Sequence, residues 1–383
     1  MKNQKKVFLY ATATVIGYIM GAGLFGLPYV MQRLGFIPGV FFLTLVTILT
    51  LINCLNLIEI MLRTPGAYYF PNLAKIYLGW PGKLLQLISL CVGGLGAILA
   101  YYILGGVFLK TNTENLFNLD LPTYVYVLIF IALGIFLIWK GVEDLGRAEL
   151  IMTGLLIGII ILILMASLGQ VNLRNFGNTN LNQFFPAAGV MLFALDSIGS
   201  LFIIKQILKK QKKNLAQSVL IAYALVFVLL LFFSFSLIGV YGAAVQQEAL
   251  IGIGDKLGRF VEITAVGFGF LAVFSSFVVV GASLKNTLIC DFKINNKIAW
   301  LIAWALPLGL YLAGIDNFIA VISLLGVFFG VFNSILITVL LKKARLKGKR
   351  RPEFHVNLPY WLNYLLIGFF IIGFLSQVKS FFS

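Results

Sequence analysis

The sequence predicts an all-α integral membrane protein with about eleven transmembrane helices. Of its 383 residues, 61% are hydrophobic and 11% are charged, whereas soluble domains are about 45–50% apolar and about 25% charged. Apolar runs of about 20 residues, long enough to cross a bilayer as a helix, recur from one end of the chain to the other. The loops between them are too short for a soluble domain, so we expect residues 1–383 to form a single transmembrane domain.

The apolar runs can be placed in order along the chain, and short polar or Gly/Pro-containing loops separate them. The eleven predicted spans are 7–34, 36–62, 84–109, 122–139, 148–168, 185–204, 216–241, 258–284, 298–314, 317–341 and 358–378. The loop before the third span, at 63–83, contains a short amphipathic piece. We expect it to lie at the membrane interface with aromatic anchors, namely Tyr68, Tyr69, Phe70 and Trp80.

The basic residues predict the orientation of these spans. The formal net charge is +16, and six of the 29 Lys and Arg residues lie on the outer side if the N-terminus is cytoplasmic: Arg33, Lys110, Arg174, Lys256, Arg259 and Lys379. This asymmetry is the positive-inside pattern. It predicts a multi-pass protein of the plasma (inner) membrane, surrounded by lipid bilayer, with the C-terminus outside. Short basic loops offer no folded basic surface, which excludes a nucleic-acid partner.

Two spans contain residues that interrupt a helix. The first holds the stretch YIMGAGLFGLPYV at 18–30, with three glycines and a proline, the residues least favourable inside a helix. The sixth places Asp196, Ser197, Gly199 and Ser200 at a similar depth. Backbone groups left unpaired in the bilayer are tolerated only where protein, water or a ligand satisfies them. Both spans are therefore predicted to be broken around a site.

The two interruptions predict an inverted repeat. They lie five spans apart, so the two segments cross the membrane in opposite directions. Interrupted segments at matching positions of two halves are typical of transporters that bind substrate at the breaks. We expect one repeat at about 7–168, a second at about 185–341 and an extra helix at about 358–378. The alternative is helix packing, because Gly17 and Gly21 have a small-residue packing spacing.

A broken first span predicts a ligand with two opposite charges. The half-helix that begins near Leu24 carries roughly half a positive charge at its N-terminus, where the amides of Ala22, Gly23 and Leu24 can bind a carboxylate. Carbonyls freed near Gly21, and near 193–195 in the sixth span, suit an ammonium group or a cation. An amino acid matches both ends and is the expected small-molecule substrate.

Asp196 is the clearest carboxylate at mid-depth in the sequence. An ionisable residue inside a membrane span is a functional candidate by default. Its possible roles are to carry a coupling proton, to hold the substrate ammonium or to pair with a cation. The alternative is structural, because Asp is a favourable cap at the start of a half-helix.

The eighth span contains a candidate sodium site. Ala272, Ser275 and Ser276 share one helical face, and their carbonyl and hydroxyl oxygens could join the carbonyl of Ile19 around a Na⁺ ion. The alternative is that the serine hydroxyls bond to the preceding turn. In the third span, Tyr101 adds a hydroxyl to the expected substrate site. The coupling ion is thus H⁺ or Na⁺.

Other classes of function find little support. The single histidine, His355, lies in a basic loop, and the three cysteines lie in or at the ends of spans. An enzyme would need converging nucleophiles, metal ligands or acid/base pairs, and an ATP-driven pump would need a GxxxxGK[ST] loop. No cofactor is expected. A channel or a transport-inactive sensor stays as the alternative class, and the sequence predicts no oligomeric state.

Three segments resemble the amino acid permeases of the amino acid/polyamine/organocation superfamily. YIMGAGLFGLPYVMQRLGF at 18–36 resembles their first helix, FPAAGVMLFALDSIGSLF at 185–202 their sixth, and FLAVFSSFVVVGASLKNTLICDF at 270–292 their eighth. The nearest branches are the aromatic amino acid permeases and the amino acid/auxin permeases. The resemblance implies the leucine-transporter fold, with two inverted five-helix repeats, helices 1 and 6 broken, and alternating access.

The resemblance also implies roles for individual residues. Gly21, Ala22 and Gly23 would hold the substrate carboxylate, and the carbonyls of Phe193 and Ala194 would face the ammonium group. The family thus predicts a symporter for neutral amino acids, with aromatic or branched side chains as candidates.

For the coupling ion, the resemblance points in two directions. Ala272, Ser275 and Ser276 match part of the sodium site of sodium-coupled relatives, whereas bacterial aromatic permeases are associated with proton symport. Some proton-coupled relatives place a lysine of helix 5 in the sodium position, and the span 148–168 contains none. That leaves Asp196 or sodium, and we favour protons with Na⁺ as the alternative.

Overall fold

A computed structural model describes residues 2–66, 69–140, 145–209, 211–348 and 350–357, together with 364, 367, 368 and 371. Its helices are α1 (Lys2–Ile19), α2 (Gly23–Leu34), α3 (Phe36–Arg63), α4 (Phe70–Phe117), α5 (Thr123–Lys140), α6 (Leu145–Ser167), α7 (Phe184–Ala194), α8 (Ile198–Ile207), α9 (Asn214–Tyr241), α10 (Gly254–Leu257), α11 (Arg259–Cys290), α12 (Asn296–Leu312) and α13 (Phe318–Lys347). Short 3₁₀ turns occupy Leu173–Phe176, Leu181–Gln183 and Gly242–Ala244.

The helices follow the predicted spans. Six elements are long and apolar enough to cross a membrane, with α7 and α8 forming one of them, and the bent pair α1 and α2 makes a seventh. The shorter apolar helices α5, α6 and α12 correspond to the fourth, fifth and ninth predicted spans. The predicted eleventh span, 358–378, lies almost wholly outside the described residues. A break in the first and the sixth crossing is thus observed where helix-disfavouring residues predicted it.

Helix α4 is longer than the predicted third span because it includes the predicted interfacial piece. The helical path is interrupted at Gly79, whose φ of +72° is a conformation that favours glycine. Tyr69 and Trp80 are exposed, as expected of interfacial anchors, and Tyr68 lies outside the described residues. Phe70 is not an anchor: it is 4% exposed and its ring packs against helix α8.

Small residues bring helix α13 into backbone contact with its neighbours. A Cβ atom on Gly326 would overlap the carbonyl of Gly189 in α7, and one on Gly189 would overlap Ser323. A Cβ atom on Gly93 in α4 would likewise overlap the ring of Phe329. Close approach of this kind is the usual basis of helix packing in membranes. It fixes α7, the first half of the broken sixth span, against α13.

A buried carboxylate ties helix α3 to the end of α13. Glu59 has a fully buried side chain and accepts hydrogen bonds from Arg63 and Arg345, each with a nitrogen–oxygen distance of 2.9 Å. Arg345 uses both of its donors, Nε and Nη2, on the two carboxylate oxygens. The amide of Val356 also donates to Glu59, at 2.9 Å. The loop after α13 is therefore held against α3 by charge and by hydrogen bonds.

Two lysines bind main-chain carbonyls at helix ends. Lys205 in α8 donates to the carbonyls of Met61 (3.1 Å) and Gly66 (2.9 Å), at and beyond the end of α3. Lys285 in α11 is 6% exposed and donates to two carbonyls in the last turn of α5, at 2.9 and 2.8 Å. A cation at a helix C-terminus satisfies carbonyls that have no intrahelical partner.

Candidate functional site

The break between α1 and α2 leaves backbone amides without partners. The amide of Gly21 folds back onto the carbonyl of Ile19 at 2.8 Å, and that of Leu24 bonds to the carbonyl of Gly21 at 3.2 Å. The N–H groups of Ala22 and Gly23 have no backbone acceptor within the described residues. Of the three amides predicted to bind a carboxylate, those of Ala22 and Gly23 are available and that of Leu24 is engaged.

The two glycines of this break have different surroundings. A Cβ atom on Gly21 would meet nothing within 4 Å, so this side of the backbone borders open space. A Cβ atom on Gly23 would lie 2.5 Å from the Cα atom of Ala194. Gly23 therefore provides the contact between the two broken crossings, while Gly21 leaves room for a ligand at the backbone.

The break between α7 and α8 lies directly opposite. The amide of Asp196 reaches back to the carbonyl of Phe193 at 3.5 Å, and the carbonyl of Leu195 accepts a hydrogen bond from the Tyr223 hydroxyl at 2.9 Å. The carbonyl of Ala194 receives no hydrogen bond in the described part of the chain. The structure thus brings a free carbonyl on one crossing next to free amides on the other, since Ala194 touches the first break.

A cluster of three polar side chains, Cys54, Ser197 and Tyr223, supports the unwound segment 195–197. The Ser197 hydroxyl lies 3.0 Å from the Tyr223 hydroxyl, and the Cys54 thiol lies 3.3 Å from both. Cys54 belongs to α3 and Tyr223 to α9, so three crossings meet here. The sequence reasoning missed both residues, because a single Cys or Tyr in an apolar span is ordinary and their partner lies 143 or 26 residues away.

Asp196 is part-buried and has few hydrogen bonds. Its Oδ1 atom accepts from the amide of Ile198 at 3.4 Å, a long capping contact. The carboxylate borders a cavity of about 20 Å³ whose lining includes Asn53 and Asn333, and no Lys, Arg or His lines it within the described residues. The capping role considered from the sequence is thus present, although it uses one oxygen weakly.

Three of the four predicted sodium ligands already take part in hydrogen bonds. The Ser275 hydroxyl donates to the carbonyl of Ala272 at 2.9 Å, as the alternative reading of the serine pair predicted. The Ile19 carbonyl accepts from the Gly21 amide, and Ser276 is part-buried. Nearby in the third crossing, the predicted site residue Tyr101 is 8% exposed.

Aromatic and aliphatic side chains pack around the start of α2, next to the first break. The rings of Phe25 in α2 and Phe108 in α4 meet edge to face, with centroids 5.1 Å apart. A Cβ atom on Gly269 in α11 would lie 2.9 Å from Phe108 and 3.2 Å from Leu250, which belongs to the loop after α9. Glu262 holds this loop in place by accepting a hydrogen bond from the amide of Gly252 at 2.7 Å.

Comparison with solved structures confirms the predicted leucine-transporter fold. MhsT in complex with L-phenylalanine superposes with a TM-score of 0.69 at 15% identity, covering 96% of this chain and 98% of that chain. Mhp1, a nucleobase-cation-symport-1 family transporter in a closed conformation with bromovinylhydantoin bound, superposes with a TM-score of 0.68 at 14% identity, covering 97% and 91% of the two chains. At such identities the likeness concerns the fold alone.

Sequence comparison confirms the predicted resemblance to amino acid permeases. Sodium-coupled neutral amino acid transporter 4 of Pongo abelii is 31% identical over 141 residues, which cover 33% of this chain and 24% of that protein. The match therefore spans about a quarter of that relative's length. The low affinity tryptophan permease of Escherichia coli (strain K12) is 26% identical over 374 residues, 90% of this chain and 89% of that protein. Residues 4–377 match the tryptophan/tyrosine permease family, and the chain belongs to that family of membrane permeases.

Proposed function

We propose that this protein is a secondary active transporter that moves neutral amino acids across the membrane by alternating access. The observation that carries the proposal is the pairing of unbonded amides at Ala22 and Gly23 with an unbonded carbonyl at Ala194. The amides suit a carboxylate and the carbonyl suits an ammonium group. The open side of Gly21 gives the zwitterion access to the backbone.

Aromatic amino acids are the preferred substrates in this proposal. The chain belongs to the tryptophan/tyrosine permease family, and a relative aligned over 90% of the chain is a tryptophan permease. Phe25 and Phe108 meet edge to face beside the first break, and Phe193 at the second break is half-buried. Aromatic rings pack favourably edge to face with one another, so an aromatic substrate gains contacts that a short aliphatic one does not.

Protons are the proposed coupling ion, and Asp196 is the proposed carrier. Its carboxylate lies at the break and receives one long hydrogen bond, and among the described residues no basic side chain lines its cavity. A carboxylate whose charge is not offset by a cation is suited to bind and release a proton during transport.

Sodium is the second candidate for the coupling ion, because one relative in sequence is a sodium-coupled neutral amino acid transporter. Its site would use Ile19, Ala272, Ser275 and Ser276. The hydrogen bonds that already engage the Ile19 and Ala272 carbonyls weigh against it, because each leaves the carbonyl only one lone pair for an ion.

The proposal includes the arrangement of the chain in the membrane. Residues 1–383 form one transmembrane domain of the plasma (inner) membrane, with repeats at about 7–168 and 185–341 and an extra helix at about 358–378. The N-terminus is cytoplasmic and the C-terminus is outside, in accordance with the distribution of basic residues.

Uptake by purified protein in proteoliposomes tests the proposal. We expect an imposed pH gradient to drive accumulation of tryptophan or tyrosine without sodium, and Asp196→Asn to abolish accumulation. Glu353→Gln, a change of another carboxylate to its amide in a cytoplasmic loop, serves as the control and should transport normally. A strict sodium requirement that Ser276→Ala removes would establish the sodium alternative. Absence of substrate-induced stabilisation by any amino acid would contradict transport itself.

A further inference from the structure

The cavity beside Asp196 has the size of one water molecule. Its volume is about 20 Å³, and a water molecule needs at least about 10–15 Å³ measured in this way. An amino acid does not fit. The cavity lies between α3, α9, α13 and the break of α7 and α8, and its lining residues are Thr50, Asn53, Cys54, Leu192, Leu195, Asp196, Ile198, Tyr223, Phe329, Gly330 and Asn333.

The lining contains a buried acceptor that no protein group satisfies. Asn333 is 6% exposed, and its Oδ1 atom has no hydrogen-bond partner within the described residues. Buried amide oxygens are almost always bonded to protein or to ordered water. The neighbouring carboxamide of Asn53 donates one hydrogen to the Ser334 hydroxyl at 2.6 Å. Asn333 lines the cavity, so a water molecule there can supply its missing donor.

Asp196 presents a second acceptor to the same cavity. Within the described residues, the amide of Ile198 donates to its Oδ1 atom at 3.4 Å, which leaves lone pairs on both carboxylate oxygens. Two acceptors that face one water-sized space match the two donors of a water molecule.

We propose that one water molecule in this cavity bridges the Asp196 carboxylate and the Asn333 carboxamide, which makes Asn333 the positioning residue for proton coupling. The inference rests on the proposed role of Asp196 as proton carrier. It adds a specific partner on α13, a helix that sequence reasoning did not connect with Asp196.

The bridge favours one protonation state of Asp196. When the carboxylate is ionised, the water donates one hydrogen to it and the other to Asn333. When a proton binds, the new O–H of Asp196 donates to the water oxygen, the water keeps its bond to Asn333, and its second hydrogen loses an acceptor. Both states keep two hydrogen bonds, but the bond that the water donates to the ionised carboxylate is charge-assisted and is therefore the stronger one. Without the Asn333 anchor, the ionised state loses this support and Asp196 binds its proton at higher pH.

The groups around Asp196 add no competing charge. Cys54 of α3 and Tyr223 of α9 are the other titratable side chains in the lining, and both are bonded to Ser197. Tyr18 of α1 lies over Gly199, one turn beyond the aspartate. None of these is charged at neutral pH, so a shift in the pH profile near neutrality reports Asp196.

The test is the pH dependence of uptake by full-length protein in proteoliposomes. For Asn333→Leu we expect half-maximal uptake at about tenfold lower proton concentration, roughly one pH unit higher than wild type. Thr338→Val is the matched control, because it changes another buried polar residue of the same helix that does not line the cavity. Its profile should coincide with that of the wild type.

A second measurement keeps the test independent of transport. The infrared band of the protonated Asp196 carboxyl, assigned by its loss in Asp196→Asn, can be titrated in detergent for wild type, Asn333→Leu and the smaller change Asn333→Ser. A titration of Asn333→Leu that coincides with wild type, by uptake or by infrared, overturns the bridge but leaves Asp196 as carrier. A wild-type pH profile in Asp196→Asn overturns the proposed role of Asp196 as proton carrier.

Discussion

Two carboxylates inside the helical bundle have opposite surroundings. Glu59 is fully buried and receives hydrogen bonds from two arginines and a backbone amide, each at 2.9 Å. Asp196 is part-buried, accepts one amide at 3.4 Å and lines a cavity without a cation. Both lie within crossings of the membrane, where an unpaired charge is costly.

The difference in surroundings predicts different roles for the two carboxylates. A carboxylate with every lone-pair direction filled by strong donors stays ionised, and its loss leaves two cations without a partner. A carboxylate with few donors can change its protonation state because no network depends on one state. Glu59 is therefore expected to matter for stability, and Asp196 for transport.

The largest effect on stability is expected for Glu59→Gln. The amide cannot neutralise Arg63 and Arg345, whose side chains are 20% and 22% exposed, so the free energy of unfolding should fall by about 2–4 kcal/mol. Thermal unfolding in detergent measures it. The control is Glu353→Gln, whose partner Arg350 is one-third exposed and whose pairing contributes roughly 0–1 kcal/mol. Equal losses in both variants would remove the distinction drawn for Glu59.

A pair of glycine substitutions sharpens the contrast at the breaks. In Gly23→Val, the new side chain would overlap the backbone of Ala194, and we expect a loss of about 1–3 kcal/mol in stability. In Gly21→Val the side chain enters open space, so the protein should fold normally but lose the stabilisation that a bound amino acid provides. Substrate-dependent thermal shifts distinguish the two. Normal substrate binding by Gly21→Val would contradict the assignment of this surface to the ligand.

Tyr223→Phe tests the support of the unwound segment. The change removes the donor to the buried carbonyl of Leu195 and a partner of Ser197, so unfolding should cost roughly 1–2 kcal/mol less. Because the segment carries Asp196, transport should also slow. Leu237→Ile, a conservative change at another buried position of the same helix, is the control. Unchanged stability and uptake would show that the hydroxyl is dispensable.

Asp196→Asn should change stability least among the buried substitutions. The amide oxygen of asparagine can still accept from Ile198, and no cation loses a partner, so the free energy of unfolding should change by less than about 1 kcal/mol. Thermal unfolding of Asp196→Asn and of Glu59→Gln under the same conditions compares the two losses of stability directly. A loss as large as that of Glu59→Gln would mean that Asp196 is a structural residue.

The smallest effect is expected for an exposed carboxylate. Asp120 lies 3.1 Å from Lys110 and is 76% exposed, and the hydrogen bond from Lys110 holds the pKa of Asp120 below its usual value. Its stabilising effect is therefore present above the ordinary aspartate pKa and is lost as the pH falls through the lowered value. Asp120→Asn should leave thermal unfolding unchanged at physiological salt. A shift comparable with that of Glu59→Gln would contradict the role of burial.

Local chemistry made the breaks predictable. Glycines at 21 and 23 and an aspartate at 196 affect the backbone conformation of their own segments. An apolar span that contains such residues is therefore predicted to be interrupted. The fold then followed from the spacing of the two interruptions and from the resemblance of three segments to a family. The helix limits were less accurate where a kink at Gly79 lets α4 continue into the interfacial piece.

Partners distant in the sequence were not predictable. Glu59 pairs with Arg345, 286 residues away, and nothing in either span indicates the other. Cys54, Tyr223 and Asn333 meet the second break only because three crossings converge there. From the sequence, Gly21 and Gly23 were both predicted to contact the ligand. Their surroundings differ because the residue that fills the space beside Gly23 belongs to another crossing.

The contact between Gly23 and Ala194 has a mechanical consequence. It joins α2 to α7 on one side of the breaks. On the other side, α8 contacts α1, because Gly199 packs closely against Tyr18. The four half-helices thus form two couples, and the unwound residues 20–22 and 195–197 connect them. In the proposed transport cycle, opening toward either face of the membrane would turn one couple against the other, with the proposed substrate at the pivot.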